Sequence, residues 1–74
     1  MTNVRTSDLY YAAYLKVAGV PFRGTERDGT RVYFLFEGVE ELSGLHRRWY
    51  DRSAQVPAMT YADEVKAMKS LCHV

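Results

Sequence analysis

The sequence predicts an α+β fold of order α-β-β-α-α, in which a two-stranded antiparallel hairpin packs with three helices. Three observations predict it. The stretch from Phe22 to Glu37 is rich in Arg, Thr, Val, Tyr and Phe and turns on Asp28-Gly29, a dipeptide suited to a tight hairpin turn because its residues tolerate positive φ. Apolar residues recur at three- and four-residue spacing on both sides of that stretch, the period of amphipathic helices. Gly19 and Pro21 on one side, and Pro57 on the other, mark where helical runs must stop.

Each element has its own signal. Thr6-Ser7-Asp8 opens the first helix, predicted over about 7–18, with a hydroxyl to cap free amides and Asp8 in the first turn where the helix dipole favours an anion. Its stripe is Leu9, Tyr10, Ala12, Ala13, Tyr14 and Val17. Tyr10 and Tyr14 are i and i+4 neighbours, so Tyr11, a quarter-turn away, is expected to be exposed. The hairpin covers about 20–37. A second helix is predicted over 39–50, with Val39, Leu42, Leu45, His46 and Trp49 on one stripe, Glu40 and Glu41 near its start and Arg47 and Arg48 near its end. After a connector ending at Pro57, a third helix is predicted over 60–72, where Thr60 to Asp63 resembles a capping box and Tyr61, Val65, Met68 and Cys72 share a face.

The hairpin raises a difficulty. Pairing Arg27 with Thr30 puts Glu26 opposite Arg31, Gly24 opposite Tyr33 and Phe22 opposite Leu35 on one face. The other face then carries Thr25 with Val32, Arg23 with Phe34 and Pro21 with Phe36. Both faces hold large apolar groups, and an isolated ribbon leaves two open edges. A homodimer that joins two hairpins would resolve both problems, and a compact monomer with helices on both faces is the competing expectation.

Length and composition narrow the class. Seventy-four residues suit one domain, near the lower limit for a core without disulfides or metal. The single cysteine, Cys72, forms no intramolecular disulfide and fits a reducing cytoplasm. Neither a signal peptide nor a membrane span is expected, because no apolar run is long enough. A net charge of +1 argues against a protein that coats nucleic acid, though it permits a local basic patch.

At Ser7-Asp8-Leu9-Tyr10, Ala12-Ala13-Tyr14-Leu15, Gly24, Glu26-Arg27-Asp28-Gly29, Arg31-Val32 and Phe34-Leu35-Phe36, the chain resembles a family of small bacterial and phage proteins that form a domain of unknown function. Arg48-Trp49-Tyr50 and Val56-Pro57-Ala58 extend the likeness over nearly the whole chain. The resemblance implies a bacterial or phage setting and a stand-alone domain, and assigns no catalytic residue. Lys16, Arg23 and Thr25 are more polar than the aliphatic residues expected at matching places, which leaves open how deeply the first hairpin strand and one side of the first helix are buried.

Two sets of residues suggest a function. Arg23, Arg27 and Arg31 can contact phosphates while Tyr33 stacks on a base, and Arg47 and Arg48 can join them if the second helix lies beside the hairpin. The plainer reading is that Arg31 pairs with Glu26 and Tyr33 covers Gly24. Tyr11, Tyr50 and Arg52 have instead the composition of a protein-interaction hot spot. The expected function is thus non-enzymatic nucleic-acid binding, with a protein-interaction module, adaptor or inhibitor, as the alternative. No cofactor and no metal are expected: Cys72-His73 and His46 lack the spacing of a zinc site, and no base is placed beside Cys72.

Overall fold

In a computed structural model that describes residues 3–72, the chain is an α+β fold of order β1 (Asn3–Thr6), α1 (Leu9–Val17), β2 (Phe22–Asp28), β3 (Arg31–Glu37), α2 (Leu42–Tyr50) and α3 (Ala58–Cys72). The expected order lacked β1, and this is the main correction. β1 runs antiparallel to β3, with Asn3 opposite Glu37 and Thr6 opposite Phe34, so the sheet has three strands in the order β1-β3-β2. The most apolar strand is therefore central and paired on both sides. The open ribbon that motivated a homodimer does not exist within the chain.

The hairpin register also differs from expectation. Asp28 pairs with Arg31 and Arg27 with Val32, so Gly29 and Thr30 form the turn. Gly29 has φ 63° and Thr30 has no positive φ, which is the pattern of a II′ turn with Gly at the first central position. Farther along, the register shifts between Phe22 and Gly24, and Gly24 has φ 115°. This bulge places Phe22 opposite Phe36 rather than Leu35, with their ring centroids 5.3 Å apart. One large ring thereby moves from the outer face to the core face, and the apolar excess on both faces is relieved.

The core lies on that inner face. Phe34 and Phe36 are 1% and 0% exposed and pack with Ala12, Ala13, Leu15, Val20 and Met68. Fully burying one such ring contributes roughly 1.5–3 kcal/mol. All five residues from Tyr11 to Leu15 are buried, because sheet, α2 and α3 side chains surround α1 on several sides. That overturns the expected exposure of Tyr11, which is 7% exposed, whereas Tyr10 is 52% exposed. Ala12, Ala13 and Tyr14 of the expected stripe are buried, and the buried arc extends from them to Tyr11 and Leu15.

Helix ends refine the reading. Asp8 is itself the N-cap of α1, and its Oδ1 accepts from the amides of Tyr10 (3.0 Å) and Tyr11 (3.2 Å). The Thr6 hydroxyl accepts from the Asp8 amide instead of capping the helix. At the other end the Gly19 amide donates to Lys16 O and the Val20 amide to Leu15 O, a Schellman closure with Gly19 at φ 92°. α3 begins just after Pro57, so Thr60 lies inside its first turn and not at its cap. Its Tyr61, Val65, Met68 and Cys72 face packs on the core. The Tyr61 hydroxyl donates to Tyr10 O at 3.1 Å, and Lys16 pairs with Glu64 at 3.7 Å.

Candidate functional site

The sequence left open whether the two arginine-bearing regions share a surface, and the structure sets them at opposite ends of α1. Arg27 and Arg31 border a hollow with Ser7, Leu9 and Cys72, beside the start of α1. Arg48 borders another with Val17, Ala18 and Pro57, at its end. The nine residues of α1 between them span about 13 Å.

Hairpin charges are largely engaged within the fold. Arg23, at the bulge, pairs with Glu37 at 2.9 Å. Arg27 donates to Cys72 O at 3.4 Å. Glu26 pairs with Arg5 at 2.9 Å, not with Arg31 as expected. The same Arg5 guanidinium lies 4.2 Å from the centre of the Tyr33 ring, on the outer sheet face. Period-2 geometry explains the set: Arg5, Tyr33, Glu26 and Glu37 all project from that face, so charges and ring neutralise and cover one another. Arg5 escaped the sequence reading because its role depends on β1.

The end of α2 is built differently. Trp49 stacks on Tyr14 with centroids 5.3 Å apart and lies 5.7 Å from Tyr11. Tyr11 meets His46 edge-on at 5.7 Å, and His46 lies 4.6 Å from Tyr50. The aromatic rings thus run from the core outward and finish at Tyr50, which is 71% exposed. His46, on the apolar stripe expected of the second helix, is exposed, with its Nδ1 3.2 Å from the Tyr11 hydroxyl. Burial raises the Tyr11 hydroxyl above its ordinary pKa, with smaller contributions from Tyr14 and Tyr50. The neutral hydroxyl is therefore the favoured form and can donate to an unprotonated Nδ1.

Tyr50 is a ridge between two hollows of about 450 Å³ each. One is lined by Val4, Thr6, Tyr11, Leu42, Ser43 and His46, among others, and the other by Trp49, Arg52 and Ala54. Among the described residues Arg47, Arg48 and Arg52 have no ion pair. Arg52 is also the one described non-glycine residue with positive φ, at 62°. Its amide donates to Trp49 O and the Ser53 amide to Arg48 O, so Arg52 stands at the C′ position of a Schellman motif, where glycine is favoured.

Of the residues singled out from the sequence, Tyr50, Arg47, Arg48 and Arg52 thus share the α2 end. Tyr11 lies beneath it as support, while Arg23, Arg27, Arg31 and Tyr33 are spread over the hairpin's two ends and faces. His73 lies outside the described residues. No group of three or more His, Cys, Asp or Glu side chains gathers among the described residues, and no described helix is long and apolar enough to cross a membrane.

No family model matches the chain, and no curated protein or solved structure does either. The reading of the site therefore rests on its geometry.

Proposed function

We propose that the chain is a small non-enzymatic protein-interaction module that uses the end of α2 to hold a partner segment combining carboxylates with an aromatic or aliphatic side chain. Arg52 carries this reading. Arg47 and Arg48 in the last turn of α2 are explained by the helix dipole alone. A cationic side chain in the left-handed conformation is not, because glycine would close the same helix at about 1 kcal/mol less strain. Backbone strain of this kind persists where the side chain has a use. Here it keeps a third arginine, without an ion pair, beside the exposed ring of Tyr50 and a hollow floored by Trp49. Exposed Tyr and Arg over a packed Trp is the composition of an interface anchor.

Arg47, Arg48, Arg52 and Tyr50 at the same helix end also favour a second reading, in which single-stranded nucleic acid lays phosphates on the arginines and a base on the ring. The net charge of +1 and the internal pairing of the hairpin charges rank it second.

The test joins stability to binding in one variant. Peptides selected on the chain from a random library, and labelled single- and double-stranded oligonucleotides, are titrated by fluorescence anisotropy at low and physiological salt. Arg52→Gly is expected to raise the melting temperature while weakening the selected peptides by about tenfold, and Tyr50→Ala to weaken them further. A lower melting temperature for Arg52→Gly, or peptides indifferent to both changes, would sink the proposal. Salt-sensitive oligonucleotide binding tighter than any peptide's would replace it with the second reading.

A further inference from the structure

The hollow that Arg48 borders with Val17, Ala18 and Pro57 has a volume of about 350 Å³ and lies between the end of α1, the second half of α2 and the connector that follows. Its construction follows from one turn. α2 ends at Tyr50, and Arg52 takes the left-handed conformation. The chain then doubles back, so that the amides of Ser53 and Ala54 both donate to Arg48 O, at 2.9 and 3.1 Å. Ser53 is thereby held against the last turn of α2, and Gln55 to Pro57 complete the wall that faces Val17 and Ala18. The Arg48 side chain lies back along its own helix, with Nη2 3.7 Å from where a Cβ on Gly44 would sit.

Three polar side chains converge on this hollow: Arg48, Ser53 and Gln55. Among the described residues none of the three has an ion pair or a side-chain hydrogen bond. Arg48 is also the one charged residue that borders it, and the walls between the polar groups include Val17, Leu45 and Val56. The hollow therefore carries one unmatched positive charge and two neutral donors beside an apolar surface.

We propose that this hollow binds a small organic acid, with its carboxylate on Arg48, Ser53 and Gln55 and its aliphatic or aromatic body against Val17, Leu45 and Val56. The guanidinium fork matches the two oxygens of a carboxylate, and the Ser53 hydroxyl and the Gln55 amide donate to the lone pairs that remain. A neutral ligand would leave Arg48 unmatched, and a cation would be repelled by it. Inorganic phosphate would satisfy the donors but has no apolar part to set against the walls. The volume is near the lower end of the range of about 300–1,000 Å³ found for ligand hollows, so the occupant is short, with about six carbons. The proposal does not rest on the protein-interaction reading, because Trp49, Tyr50 and Arg52 border a different hollow.

The test titrates the full chain, isotopically labelled, with hexanoate, hexanol, acetate and inorganic phosphate while backbone amide shifts are followed by NMR. Hexanoate is expected to shift the amides of Ala18, Ser53, Gln55 and Val56, and to bind about tenfold more tightly than each of the other three. Arg48→Gln, at an exposed position, is expected to weaken hexanoate by about tenfold without lowering the melting temperature. Ser53→Ala and Gln55→Ala lie outside the helix and are expected to weaken it by about threefold each, which keeps the proposal testable if the Arg48 variant loses stability. Phosphate as tight as hexanoate would reduce the site to one that reads charge alone, and hexanol as tight would reduce it to an apolar dimple; either overturns the proposal. Shifts centred on His46 and Tyr50, or no shift at all, would overturn it as well. A short peptide that ends in Leu, binds more tightly than hexanoate and is released by amidation of its terminus would make a chain end the occupant and overturn the free acid.

Discussion

At the hairpin, Arg23 is paired with Glu37, Arg27 is bonded to the end of α3, and Arg5 bridges Glu26 and Tyr33. At the end of α2, Arg47, Arg48 and Arg52 carry no ion pair among the described residues, and Arg52 borders one hollow with the exposed Tyr50. The two regions have similar composition and, Arg31 of the hairpin apart, opposite electrostatics. The difference lies in the spacing of the carboxylates. On a sheet, acids two residues apart on neighbouring strands fall on the same face as the arginines and meet them. On α2, Glu40 and Glu41 precede the helix while Arg47 and Arg48 close it, and Asp51, the C-cap residue next to Arg52, forms no ion pair with the arginines around it. A basic cluster is thus available for a partner according to where its neighbouring acids fall, and not according to how many arginines it has.

The strongest way to break this comparison is to weigh structural against exposed aromatics. Phe36→Ala under the hairpin is expected to cost about 3–5 kcal/mol, enough to unfold much of a domain this small, as read from urea titration. Tyr50→Ala should change stability by less than about 0.5 kcal/mol in the same titration. Similar losses for the two would mean that the α2 end is part of the core and not a contact surface.

A smaller effect sharpens the hairpin side. Gly24→Ala is expected to destabilise by about 1–3 kcal/mol, although no atom lies within 4 Å of where the new Cβ would sit. The cost is that of the backbone conformation alone, at φ 115°. A neutral result would show that the bulge tolerates side chains and that the position of Phe22 has another cause.

The least of the effects concerns the support beneath Tyr50. Tyr11 has a folded pKa above its ordinary value of 10.0, so its stabilising contribution is complete below pH 10 and is lost as the pH rises through the folded value. Tyr61 is raised for the same first reason, burial, so both contribute to an alkaline decline. Tyr11→Phe should flatten part of that decline and cost about 1 kcal/mol near neutrality through the lost contact with His46. Denaturant melts across alkaline pH measure both, and an unchanged alkaline slope would show that the Tyr11 hydroxyl is solvated.

Much of the fold was legible in the sequence because its signals are local. Gly19 and Pro21 stop α1, Gly29 turns the hairpin, and the spacing of Tyr61, Val65, Met68 and Cys72 states which side of α3 is packed. β1 was not legible: its four residues hold a single aliphatic side chain, Val4, and their extended form is set by pairing with β3 across the whole of α1 and the hairpin. The burial of Tyr11 depended on how many elements surround α1, and periodicity measures only one direction. Tyr50 and the arginines of α2 were visible as candidates, whereas the positive φ of Arg52 left no mark in the sequence. Lys16, Arg23 and Thr25, polar where aliphatic residues were expected, occupy exposed places, and the first two are in ion pairs.

The pairing of β1 has a consequence in time. Among the described residues β1 is made first, yet its partners Phe34 to Glu37 are made only after α1 and most of the hairpin. During synthesis the hairpin can close by local contacts within microseconds of emerging, while β1 must wait to be recruited to the far side of β3. A strand held by one neighbour and few residues is also the part of a sheet that opens at the lowest cost. β1 is therefore the last piece of the sheet to be laid down and the first it can release.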